Sequence, residues 1–145
     1  MEKVMKFKTI LMLIVFIWAL NASAHGDENT KHQVSAAKSY IVSPKDGETV
    51  DKTFVVVFGL KGMGVSPAGI ERANTGHHHL MIDRKEMPDI TKPLDKTVKH
   101  FGGGQTETTL TLPPGNHTLQ LILADYKHLP HNPAVISKQI NIIVK

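Results

Sequence analysis

Cysteine is absent from all 145 residues, which excludes disulfides, thiolate metal sites and a lipoprotein anchor. Packing alone must then hold the fold. Aromatic residues are scarce, at 6%, and the basic residues are neither clustered nor interleaved with aromatics, which removes the usual grounds for nucleic-acid binding. No stretch has the 3.6-residue apolar period of an amphipathic helix of ordinary length. One long apolar run is present, ILMLIVFIWAL at residues 10–20, and it is too short to span a bilayer comfortably.

That run has the surroundings of an export signal. Lys3, Lys6 and Lys8 precede it, and the small-x-small pattern of Ala22 and Ala24 follows it, so a signal peptide is expected over residues 1–24, with cleavage between Ala24 and His25. The mature protein is then expected to be periplasmic or secreted, with no remaining membrane span. Residues 1–24 hold three of the 17 Lys+Arg and one of the 13 Asp+Glu. The remainder carries 14 basic against 12 acidic groups, a net +2, and the basic character is largely that of the signal. Residues 25–38 are polar and aperiodic, which predicts a flexible tail. Residues 39–145 are expected to form one domain.

Within that domain, short β-like runs alternate with turn clusters: SYIVS, PKDGE, TFVVVFGL, a glycine-rich loop, HHHLMID, a proline-containing crossing, TETTLTL, PPGN, HTLQLILAD and ISKQINIIV. About seven strands in roughly a hundred residues is the pattern of an immunoglobulin-like antiparallel β-sandwich. Gly115-x-His117 occupies the place where such sandwiches carry a Gly-x-Tyr corner at the start of strand F. The letters then fall at Tyr40 for A, 54–60 for B, 77–83 for C, 106–112 for E, 117–125 for F and 136–144 for G.

In that topology the B–C, D–E and F–G loops meet at one end of the sandwich. His77 and His79 open strand C, His100 precedes strand E, and His128 and His131 lie in the F–G loop, so these five histidines are expected to converge there as ligands for copper or zinc. Side chains alternate along a strand, so His78 faces away from His77 and His79, toward Leu80 and Ile82. It is expected to be a hydrogen-bonded core residue. His117, at the corner, is expected to hydrogen-bond back to its own chain and to take no part in the site. Secondary candidates are Asp125 as a partner of a ligating imidazole or a turn cap, Met63 as a thioether donor to Cu(I), and Gln105 and Glu107 beside the Gly102–Gly104 turn.

GMGVSPAG, NTGHHHLMID, HFGGGQTET and PPGNHTLQLILAD followed by PHNP together resemble the domain-of-unknown-function family 4399, small exported bacterial domains, over residues 40–144. The resemblance implies an export signal and a compact β domain, with no established activity. It also leads to the expectation of a histidine two residues before His100, where this chain has Val98. The leading functional expectation is an exported metal-binding domain for storage, delivery or buffering of copper or zinc, with another exported protein as a partner. The alternative is an immunoglobulin-like module that binds a protein or a glycan without metal. Enzymatic activity is not expected: three histidines leave room for a metal-bound water, but no carboxylate is clearly placed as a general base.

Overall fold

The computed structural model describes residues 36–145. The expected signal peptide and most of the expected tail lie outside the described residues. Among the described residues there is no helix, and so none long and apolar enough to cross a membrane. Nine strands form instead: β1 (Lys38–Ser43), β2 (Glu48–Val50), β3 (Thr53–Lys61), β4 (Gly64–Val65), β5 (Thr75–Ile82), β6 (Lys99–His100), β7 (Glu107–Thr111), β8 (Gly115–Ala124) and β9 (Ile140–Val144).

They divide between a three-stranded sheet, β1-β3-β7, and a larger sheet ordered β2-β9-β8-β5-β4, with β6 also pairing to β5. The three strands of the first sheet stand where A, B and E stand in an immunoglobulin-like sandwich, and β9, β8 and β5 stand as G, F and C. The fold is therefore all-β and immunoglobulin-like. Strand alternation explains why the sheets stack: Phe54, Val56 and Phe58 of β3 are buried while Val55 is exposed. These inward residues meet Leu80 of β5, Leu119 and Leu121 of β8, and Ile140, Ile142 and Val144 of β9 in one core between the sheets. At roughly 25 cal/mol per Å2 of apolar surface, each fully buried Leu or Ile there contributes about 1.5–3 kcal/mol.

Two strands differ from expectation. Strand G, expected over 136–144, is regular only at Ile140–Val144. Residues 135–137 instead follow β8 through isolated bonds: Ser137 Oγ accepts the amide of Leu121, and Ile122 bridges Ile136. The hydroxyl takes the acceptor place of a backbone carbonyl there, which interrupts the ladder. The turn expected at PKDGE is followed by β2, which pairs in parallel with β9.

The larger sheet has a second buried layer on its other side. Met81, Val98 and Ile122 are buried together, with Leu94 and Ile136 against them. Met81 and Ile122 occupy the faces of β5 and β8 that point away from the sandwich interior, and Leu94 and Val98 come from the crossing between β5 and β6. That crossing covers the outer face of the sheet, and this roof positions the histidines.

Candidate metal centre

β5 carries the three consecutive histidines, paired with β8 in the register His77↔Ala124, His78↔Leu123 and His79↔Ile122. Opposite residues in an antiparallel ladder share a face, so His79 stands with Ile122 on the roofed side and His78 with Leu123 on the interior side. His78 accordingly lies against Phe58, ring centroids 5.3 Å apart. It is a core residue, as expected, but neither of its ring nitrogens has a hydrogen-bond partner. The expected bond is missing because its neighbours across the sheets are phenylalanine and aliphatic side chains.

His100 is placed by β6, whose two residues pair with the free edge of β5 in the register His79↔His100. Gly102 makes room for it: a Cβ there would lie 2.3 Å from His100 Cε1 and 2.5 Å from its Nε2. The glycine turn thus serves the imidazole by leaving space. His128 is held at φ 66, a strained conformation for a residue with a side chain. Asp125 stabilises this turn, since its Oδ1 accepts the amides of Lys127 and Leu129 at 2.8 and 2.9 Å. The roof closes onto the same loop where the Leu94 amide donates to the His128 carbonyl at 2.9 Å.

His77, His79, His100 and His128 therefore converge, one nitrogen of each lying within 4.8 Å of the others. The six distances between ring centroids run from 4.7 to 5.9 Å. Four imidazoles around one metal at about 2.0–2.1 Å would place their centroids about 5.2 Å apart in a tetrahedron, and about 4.5 and 6.4 Å apart in a square. The observed set is close to the tetrahedron. His100 Nε2 and His128 Nε2 are 3.2 Å apart, near the N···N edge of about 3.3 Å expected for the same tetrahedron.

The electrostatics agree with a neutral donor set. Burial holds His77 down to about 4, with the charges of His100 and His128 adding to the effect and Asp125 opposing it. Burial, with His77, His100 and His128 nearby, holds His79 to about 3. His100 is lowered by its own burial and by His128. The side chains of His77 and His79 are buried, and none of their four ring nitrogens has a hydrogen-bond partner. Buried polar atoms are almost always paired, so the unpartnered nitrogens of these two converging rings fit a metal ion, which would take one lone pair from each ring. The cluster can hold a metal ion.

The convergence lies on the outer face of the larger sheet, under the roof, and not at the end of the sandwich as expected. His131 does not join it. Its Nε2 sits 2.8 Å from where a Gly76 side chain would begin, next to Leu123 on the interior face, so β5 separates it from His77 and His79. Met63 lines a separate cavity with His131, Asn74 and Asn132, one that none of the four clustered histidines borders. Asp125 caps the turn, and no imidazole bonds to its carboxylate. Gln105 Oε1 accepts the amide of Gly103, and Glu107 belongs to β7 of the other sheet; neither reaches the site. His117 meets expectation: its Nδ1–H donates to Asp83 Oδ2 at 2.7 Å and its Nε2–H to the Pro113 carbonyl at 2.9 Å. Both bonds at once require the imidazolium, and the Asp83 bond followed by the Pro113 bond raises the His117 pKa.

Of the positioning residues, Asp125 was expected as a turn cap and is one, whereas the roles of Gly102 and Leu94 were not foreseen. A glycine followed by two more glycines after His-Phe was the available signal for Gly102.

The chain is thus an immunoglobulin-like domain with a four-imidazole cluster on one outer face. The family model described as a domain of unknown function (DUF4399) matches residues 56–145, and the chain belongs to that family. No curated protein matches it. Among solved structures it is similar to an endo-beta-1,4-mannanase from Thermotoga petrophila, with 19% identity and a TM-score of 0.47, over 81% of this chain and 21% of that one. It is also similar to the fibronectin(III)-like modules of Clostridium thermocellum CbhA, with 13% identity and a TM-score of 0.40, over 74% of this chain and 95% of that one. The chain thus spans about a fifth of the mannanase chain's length.

Proposed function

We propose that this protein is an exported metal-binding domain that holds copper or zinc through His77, His79, His100 and His128, for storage, delivery or buffering outside the cytoplasm. The near-tetrahedral spacing of four imidazoles, two of them buried with unpartnered nitrogens, carries this reading. No group is assigned a catalytic step, because the acids nearest the rings already serve the backbone: Asp95 Oδ1 accepts from Thr97 and Asp125 Oδ1 from Lys127 and Leu129. Export rests on the pattern of residues 1–24. Metal analysis of the untagged protein purified from an exporting host tests the reading. One equivalent of zinc or copper per chain is expected, with an intact mass that begins at His25. Metal-free protein that takes up neither ion on titration would return the chain to the alternative, a module that binds a protein or glycan. Retention of residues 1–24 would overturn the export half alone.

A further inference from the structure

We infer that the metal held by the four imidazoles takes an additional small anionic ligand from a cavity beside it, so that the centre binds an exogenous anion as well as the ion. This rests on the metal-binding reading above. A cavity of about 210 Å3 adjoins the cluster, lined by His79, His100 and His128 together with Leu94, Asp95, Lys96 and Val98. At about 30 Å3 per water it has room for several waters or one small oxyanion or carboxylate. His77 is not part of its wall, so the donor set is one-sided: His79, itself buried, and the more exposed His100 and His128 border the cavity, and His77 lies away from it.

The spacing of the rings shows where a further ligand enters. Five of the six centroid separations lie between 4.7 and 5.1 Å, while His79 and His128 stand 5.9 Å apart. Both members of this widest edge line the cavity. Zinc-type centres expand from four to five ligands readily, and the open edge is where the fifth fits without moving a ring.

Charge favours an anion. A ligating imidazole brings no charge, so a divalent ion held by the four rings would keep its full +2 charge, and no carboxylate among the described residues belongs to the donor set. The Asp95 carboxylate on the cavity wall is drawn to Thr97, whose amide and hydroxyl both donate to its Oδ1. Lys96 on the same wall makes no ion pair among the described residues. An incoming anion would therefore meet the charge of the metal and the Lys96 ammonium, opposed by the Asp95 carboxylate, which its bonds to Thr97 hold ionised.

The test uses the full mature protein loaded with Co(II), whose visible spectrum separates four- from five-coordinate centres, titrated with azide. Wild type is expected to show a saturable loss and shift of the four-coordinate bands. Lys96→Glu, which reverses the charge on the cavity wall, is expected to give the same starting spectrum and a weaker azide response than either wild type or Lys96→Gln. Lys96→Gln is expected to bind azide about fivefold more weakly, as removal of one nearby charge predicts. Wild type that binds Co(II) with a four-coordinate spectrum unchanged by excess azide overturns the inference and leaves the metal site standing, as does an azide response equally strong in all three proteins. Failure to bind Co(II) or Zn(II) at all instead overturns the metal-binding reading beneath it.

Discussion

His77, His78 and His79 share one backbone stretch and one degree of burial, yet they face different chemistry because each step along a strand reverses the side chain. His77→Ala, His79→Ala, His100→Ala and His128→Ala are each expected to weaken Zn(II) or Cu(II) binding by at least about tenfold in competition titrations, since each removes a ligand from a preformed set. His131→Ala is expected to leave affinity unchanged; a loss as large as that of the four would show that its ring reaches the centre. His78 should behave in the opposite sense. Both of its nitrogens are desolvated without partners, so His78→Leu is expected to keep metal affinity and to raise stability by about 1 kcal/mol in chemical denaturation. A fall in both would mean that His78 has a partner in solution. The imidazoles also set the acid limit of the metal-free protein. Burial holds His77 and His78 to about 4 and His79 to about 3, against an ordinary histidine value of 6.5. The unfolded chain therefore takes up their protons first. Their contribution is fully present above about pH 6.5 and is lost as pH falls toward 4 and below, by up to about 1.4 kcal/mol per pH unit for each ring titrating. His117, whose pKa is raised by Asp83 and Pro113, has the reverse sign, and its contribution fades as pH rises through its folded pKa. Urea midpoints measured with chelator from pH 7.5 to 4 check the first trend, and a flat profile would contradict it.

At the level of elements, the centre depends on two glycines and one turn cap. Gly76 lets the F–G loop close against β5: a Cβ would come within 2.5 Å of the Ala124 carbonyl and 2.8 Å of His131 Nε2. Gly76→Ala is expected to cost about 2–3 kcal/mol of stability, because backbone on the facing strand must move. Gly102→Ala meets chiefly the His100 ring, with the Ala68 methyl next at 3.3 Å, so it should spare the melting temperature and weaken metal binding as His100→Ala does. Comparable losses of stability in both variants would remove the distinction. Asp125→Ala should free the turn that holds His128 at positive φ and lower both stability, by about 1 kcal/mol, and metal affinity. Asp125→Asn keeps an oxygen acceptor for the two amides, so recovery of affinity in that variant identifies the cap, and not the charge, as the working part. These supports explain what was legible. Alternation along TFVVVF and HHHLMI marked the two faces of β3 and β5, and turn clusters marked most strand ends. The roof was not legible, because residues 84–98 carry no period, and its two anchoring side chains, Leu94 and Val98, look like isolated apolar residues in a polar loop. Without the roof, loop topology pointed to the sandwich end and drew His131 into the set.

Across the described residues, a sandwich core and an outer layer meet through β5 and β8, each of which contributes side chains to both. Metal that binds only the folded state should raise stability by about 2.7 kcal/mol at a free concentration of one hundred times Kd; calorimetric melting with and without zinc measures this, and an unchanged melting temperature at saturating zinc would contradict binding to the native state. The alternation of β5 adds something beyond stabilisation. If β5 slipped one residue against β8, His78 would stand under the roof with His100 and His128, and His77 and His79 would be driven toward Phe58 and the interior. Such a slipped pairing would keep much of its apolar burial, since both sides of β5 are covered, and so hydrophobicity alone distinguishes the two arrangements poorly. A metal ion distinguishes them sharply, because one arrangement offers four imidazoles and the other three. An ion bound at these rings would then act as a proofreader of strand alignment, counting donors where the two cores cannot tell the faces apart.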